Sequence, residues 1–135
     1  FQFDQTINSL SGGGTLRIGS GYFPSITANS FSINSTAQVE FFNFSGSLPI
    51  VPNYPNVTFT NNTTTNHIIT FTNPSSHNIN FLGNFTTTRH NTGTLTVNFG
   101  SQSGNTINIT LHGSMAIGLG TKVGVVMFNS THRMT

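Results

Sequence analysis

Short stretches of this chain alternate apolar and neutral polar residues one for one: Val57-Thr58-Phe59-Thr60, Ile69-Thr70-Phe71-Thr72, Ile79-Asn80-Phe81, Leu95-Thr96-Val97-Asn98-Phe99 and Ile107-Asn108-Ile109-Thr110-Leu111. Successive side chains of an extended chain point to opposite faces, so a period of two marks a strand with one buried and one exposed side. Phe, Ile, Leu and Val carry the apolar phase here, and Thr and Asn carry the polar one. No window sets apolar residues at the i, i+3, i+4, i+7 spacing of an amphipathic helix among good helix formers. The pattern predicts an all-β chain.

Strands are expected near residues 16–18, 31–33, 39–42, 56–60, 68–72, 78–81, 84–87, 94–99, 106–111, 115–119 and 123–128. Turn residues separate them: Ser11-Gly12-Gly13-Gly14, Gly19-Ser20-Gly21, the proline-rich stretch from Pro49 to Pro55, Asn73-Pro74-Ser75-Ser76, Asn91-Thr92-Gly93, and Gly100 to Gly104. No linker divides the chain, so residues 1–135 are read as a single β-solenoid unit. The sequence opens on Phe1 in alternation already, with no initiator Met and no obvious cap at either terminus. That favours a segment of a longer repeat array.

Two features favour a solenoid over a sandwich or barrel. Val39, Val57, Ile79 and Leu95 begin comparable apolar-polar-apolar triplets, as though about one coil of ~20 residues apart, which implies six or seven rungs. Asn and Thr also suit stacked coils, where like residues on successive rungs hydrogen-bond in ladders about 4.8 Å apart. Charged residues would stack like against like. An antiparallel β-sandwich is the alternative architecture.

Charge excludes several functions. Only 4% of residues are charged, against roughly 25% in an ordinary soluble domain. Arg17, Arg89, Lys122 and Arg133 are too few and too scattered to neutralise a run of phosphates, so nucleic acid is not expected as a partner. The chain has no cysteine, which removes disulfides and thiolate metal sites. No apolar run approaches the roughly 18 residues that read as a membrane-spanning helix.

Several short motifs between residues 13 and 99 share a wording. They are Gly14-Thr15-Leu16-Arg17-Ile18-Gly19-Ser20-Gly21, Ala37-Gln38-Val39-Glu40-Phe41, Leu48-Pro49, Tyr54-Pro55-Asn56-Val57-Thr58-Phe59, Leu82-Gly83-Asn84-Phe85-Thr86 and Gly93-Thr94-Leu95-Thr96-Val97. This wording resembles the repeats of very large surface adhesins of Bacteroidota, including those linked to gliding and exported by type IX secretion. The resemblance covers about two-thirds of the chain. It departs from the family pattern in the extra prolines of 51–55, in residues 61–67 and in the last 35 residues. What it implies is a right-handed parallel β-helix, extracellular, without catalysis.

The candidate chemistry is sparse. Asp4 and Glu40 are the only carboxylates, and Glu40, between Val39 and Phe41, is expected to point outward rather than form half of a hydrolytic pair. The same shortage argues against a calcium cage. His67, His77, His90, His112 and His132 match no zinc spacing and are expected at exposed strand edges and turns. No catalytic, metal or cofactor-binding residue is therefore expected. Thr-x-Thr triplets begin at Thr58, Thr70, Thr86 and Thr94, and their uneven steps argue against a regular outward array. Asn-x-Ser/Thr sequons, such as those at Asn43, Asn62 and Asn84, are only modestly more frequent than this composition produces by chance.

Aromatic residues offer the one plausible contact set for a ligand. Phe41, Phe42 and Phe44 are the first candidates, since one of two adjacent strand residues must face out; Tyr22 and Tyr54, beside prolines, are the others. The candidate contacts are Tyr22, Phe42 and Tyr54, with a surface polysaccharide as the ligand class. The sequence thus predicts a stalk segment of a cell-surface adhesin serving attachment or gliding, partnered by neighbouring β-helix repeats of the same chain. A carbohydrate-binding β module and a self-assembling surface filament subunit are the alternatives.

Overall fold

The computed structural model describes the backbone of residues 6–19, 25–29, 36–48, 53–71, 77–99, 107–120, 125–127 and 132–134, and side chains within 7–19, 36–48, 53–71, 78–99 and 108–118. The described residues form strands and turns without a helix. The predicted strand at 31–33 lies outside them.

A five-stranded sheet holds β2 (Gly14–Ile18), β4 (Ala37–Phe42), β7 (Asn56–Asn61), β10 (Phe85–Arg89) and β13 (Met115–Gly120), side by side in that order. A second sheet runs β5 (Gly46–Leu48), β8 (His67–Phe71), β11 (Leu95–Asn98) and β14 (Val125–Met127). A third runs β6 (Asn53–Tyr54), β9 (His77–Phe81), β12 (Ile107–Leu111) and β15 (His132–Met134). The strands β1 (Thr6–Leu10) and β3 (Ser25–Asn29) pair separately.

From β4 onward the chain visits the three large sheets in a fixed order, and each strand pairs with the strand three places further on. Every pairing among the described residues is parallel. The antiparallel sandwich is therefore not what these residues build. Hairpin turns join antiparallel strands, whereas neighbouring parallel strands need a long connection. Here the strands of the other two sheets supply it.

The interior follows the alternation. Val39 and Phe41 of β4, Val57 and Phe59 of β7, Ile69 and Phe71 of β8, Ile79 and Phe81 of β9, and Leu95 and Val97 of β11 are all buried. Stacked aromatic pairs cross neighbouring strands within each sheet: Phe41–Phe59 at 5.0 Å, Phe71–Phe99 at 4.9 Å and Tyr54–Phe81 at 5.6 Å between centroids. Edge-on contacts then join the sheets, with Phe59–Phe71 at 6.1 Å and Phe71–Phe81 at 6.4 Å. Offset-stacked and edge-to-face are the arrangements that ring quadrupoles favour. Phe59, Phe71 and Phe81, one from each strand of a single circuit, thus meet in the middle.

Circuit length is where the pattern misleads. Val39 and Val57 do face each other across β4 and β7, but Ile79 lies in the third sheet and Leu95 in the second. Corner residues that touch across successive circuits are 19, 28 and 30 positions apart, so circuits lengthen along the chain. Among the described residues the largest sheet holds five strands. The expected ladders are present. Asn80 donates its side-chain amide to Asn53 Oδ1 at 3.1 Å, and Asn108 donates to Asn78 Oδ1 at 2.8 Å.

The β13 edge breaks the regular register. Two residues, Ile117 and Gly118, oppose Thr87 alone, because pairing shifts between Thr86 and Thr88. Gly118 takes a positive φ of 79° there and donates its N–H to the hydroxyl of Thr87, a residue fully buried on the inner face. Glycine meets that backbone demand without strain.

Candidate functional site

The aromatic contacts expected from the sequence do not assemble into one surface. Tyr54 is fully buried, stacked on Phe81 and edge-on to both Phe41 and Phe71. The expectation of an exposed Tyr54 is therefore corrected. Pro55 follows it and is buried as well, so the proline marks a tight interior corner rather than a surface loop. Phe44 is also a core residue, packed against Phe41. Phe42 alone of these three remains on the outer face, half-buried, with the Arg17 guanidinium carbon 4.6 Å from its ring centroid. Tyr22 lies outside the described residues.

Around Phe42 the outer face of β2, β4 and β7 carries a polar cluster. Arg17 Nε donates to Glu40 Oε2 at 2.7 Å, and the Thr60 hydroxyl donates to Glu40 Oε1 at 2.9 Å. Gln38 donates to the Thr58 hydroxyl at 3.0 Å. Glu40 does project outward, as the alternation requires, yet its side chain is only 12% exposed while that of Arg17 is 61% exposed. Both carboxylate oxygens are therefore engaged with residues of neighbouring strands. A carboxylate so held ties three rungs together. Asp4, the other acid, lies outside the described residues, and no group of three metal-ligating side chains occurs among those described.

Thr58 and Thr86 face each other across β7 and β10, as do Thr60 and Thr88. Two Thr-x-Thr triplets therefore stack despite their uneven sequence spacing. The array stops at four threonines, because β4 continues the same rows with Glu40 and Phe42, and β13 pairs Ala116 with Thr86.

The densest polar site is a corner that the sequence reading placed at the surface. Asn61 is fully buried at the end of β7. Its amide donates to the carbonyls of Thr65 at 2.9 Å and Thr94 at 2.8 Å, while its Oδ1 accepts the backbone N–H and the hydroxyl of Thr63, each at 2.9 Å. His67 opens β8, directly after this turn, and is 9% exposed. Its ring nitrogens meet the Ser45 hydroxyl at 3.3 Å and the Thr63 hydroxyl at 3.0 Å. Burial pushes the His67 pKa below its ordinary value, since a charged imidazole loses hydration there. The signal was available in the chain: His67 is in phase with Ile69 and Phe71, the inward positions of its strand. His90 and His112 are exposed as expected.

Asparagine side chains also stitch the other corners. Asn56 donates to the Ala37 carbonyl at 2.9 Å and accepts the Asn84 N–H at 3.0 Å; Asn84 Oδ1 in turn accepts from the N–H and the hydroxyl of Ser114, both at 3.0 Å. Asn43 accepts the Asn62 N–H, and Asn66 accepts the Thr94 N–H. These side chains satisfy backbone groups that leave the ladder at each corner. Their arrangement holds circuits together, and every group named has its partners within the chain.

No protein-family model matches this chain, and no curated protein or solved structure matches it.

Proposed function

We propose that this chain is a structural segment of an extracellular, cell-surface adhesin, wound as a right-handed parallel β-helix. Its role is reach and stiffness rather than catalysis. The observation that carries the reading is the fixed three-sheet order, in which each strand from β4 to β12 pairs in parallel with the strand three places on. Such a chain grows along one axis by about 4.8 Å per circuit, and each circuit buries its apolar face only against its neighbours.

The surface chemistry supports this reading. Thr and Asn dominate the outer face, charge is nearly absent, and corner asparagines join successive circuits. The motif resemblance to Bacteroidota adhesin repeats points to the same setting: type IX export, with neighbouring repeats of one long chain as partners and surface attachment or gliding as the task. The test is labelling of intact cells that make the protein. Antibodies against this segment should bind unpermeabilised cells, and brief external proteolysis should remove both the label and attachment. Label appearing only after permeabilisation would sink the proposal.

A second reading has one observation behind it. Phe42 lies half-buried on the outer face with the exposed Arg17 guanidinium over its ring, a pair able to contact a polysaccharide. Glycan-array binding that is lost in Phe42→Ala would favour it.

A further inference from the structure

We propose that the His67 corner is an acid-sensitive latch: neutral imidazole locks three successive circuits together, and protonation releases the turn formed by residues 62–66.

The hydrogen-bond chemistry fixes which form of the ring fits. Asn61 points its amide at two carbonyls, so its Oδ1 is the atom that faces Thr63. That oxygen only accepts, and the Thr63 hydroxyl proton therefore goes to it. The Thr63 oxygen, which already accepts the Thr65 N–H, is left to accept from His67 Nε2–H. The ring is then the Nε2–H tautomer, with Nδ1 bare. Ser45 accepts the Ile68 N–H at 3.1 Å and has its own proton free to donate to Nδ1. One continuous path results, running from Ser45 through His67 and Thr63 to Asn61 and on to the Thr94 carbonyl. Its members come from the circuits of β4, β7 and β10.

A second proton reverses the Ser45 link and leaves a charge inside the corner. With Nδ1 protonated, Ser45 must turn its hydroxyl proton away and accept instead, while the ring carries a charge at a site 9% exposed. Among the described residues no counter-ion stands beside the ring. Around the ring lie the turn 62–66, residues 43–45 before β5, and the loop 90–94 before β11. The ionisable groups in or beside these segments are His90 and Arg89, and Arg89 caps the Thr92 and Gly93 carbonyls of that loop. Neither offers negative charge. Glu40, the one carboxylate among the described residues, is committed to Arg17 and Thr60 in another sheet.

The sign follows. A folded-state pKa held below the ordinary value makes the neutral ring part of the fold's stability above about pH 6.5, the unfolded value. That contribution is lost as pH falls through the folded pKa. A free turn at 62–66 also releases the backbone bond from His67 N–H to the Thr94 carbonyl.

Two measurements on the whole chain test this. Nitrogen-15 NMR of the imidazoles should show His67 as the Nε2–H tautomer, titrating below the ordinary imidazole value of about 6.5. Amide hydrogen exchange, corrected for intrinsic rate, should quicken tenfold or more at His67, Ile68 and Thr65 between pH 7.5 and 5, and not at Phe59 or Val97. In His67→Gln the acid step should vanish, with His112→Gln keeping it as the control. If His67→Gln does not fold, the wild-type titration and exchange decide alone. A His67 that titrates at or above the ordinary imidazole value, or exchange at the corner that is flat with pH, overturns the latch.

Discussion

The side-chain oxygen of Asn56 accepts the backbone N–H of Asn84 at 3.0 Å, across 28 residues of chain. The same asparagine donates to the Ala37 carbonyl of the preceding circuit, so one side chain bridges three rungs. Asn56→Ala leaves both backbone groups without their partner and should cost about 1–3 kcal/mol in denaturant unfolding. Asn56→Asp separates the two bonds: it keeps the acceptor for Asn84 but sets an oxygen against the Ala37 carbonyl. It should be no more stable than the alanine variant.

Phe41 and Phe42 are neighbours in sequence and opposites in the fold. Phe41 is fully buried and stacks on Phe59, whereas Phe42 lies half-buried on the outer face. Phe41→Ala should cost about 3–5 kcal/mol, as should Phe59→Ala, Phe71→Ala and Phe81→Ala. Phe42→Ala should cost under about 1.5 kcal/mol, since only part of its surface is withheld from water. Equal losses at 41 and 42 would contradict the assigned phase.

Gly113 and Gly83 occupy the same corner on successive circuits. A Cβ at Gly113 would come within 2.6 Å of the Gly83 carbonyl carbon and oxygen. Gly113→Ala should therefore destabilise by about 1–3 kcal/mol through overpacking. Alanine at Gly19, where the closest outside atom would be 3.7 Å away, is the matched control and should change stability little.

The circuit register can be read chemically, because the chain has no cysteine of its own. Thr58 and Thr86 are direct partners across β7 and β10 on the outer face. The double variant Thr58→Cys with Thr86→Cys should form a disulfide under mild oxidation, since neighbouring strands lie within the usual Cα separation for one. Thr58→Cys with Thr96→Cys, which places the second thiol in another sheet, should not.

Period-two alternation carried the inward phase of most strands, and Phe59, Phe71 and Phe81 are core residues on that basis alone. It could not say which sheet a strand joins. Ile79-Asn80-Phe81 and Leu95-Thr96-Val97 look alike, and only the length of the intervening corners separates their sheets. The strands β5 and β6 are too short, at 3 and 2 residues, to show a period, and the prolines around them read as a loop. Tyr54 was misplaced for that reason. The His67 corner was hidden differently. A run of Asn and Thr reads as a solvated turn, and only the phase shared with Ile69 and Phe71 reveals that its histidine turns inward.

The most direct test is to isolate the native species containing this segment, take its intact mass and image it by negative-stain electron microscopy. A stalk segment should appear as part of a much longer chain, seen as a thin, stiff fibre with antibodies to this segment binding along its length. A free-standing species near 14.5 kDa, seen as a compact particle, would contradict the stalk assignment.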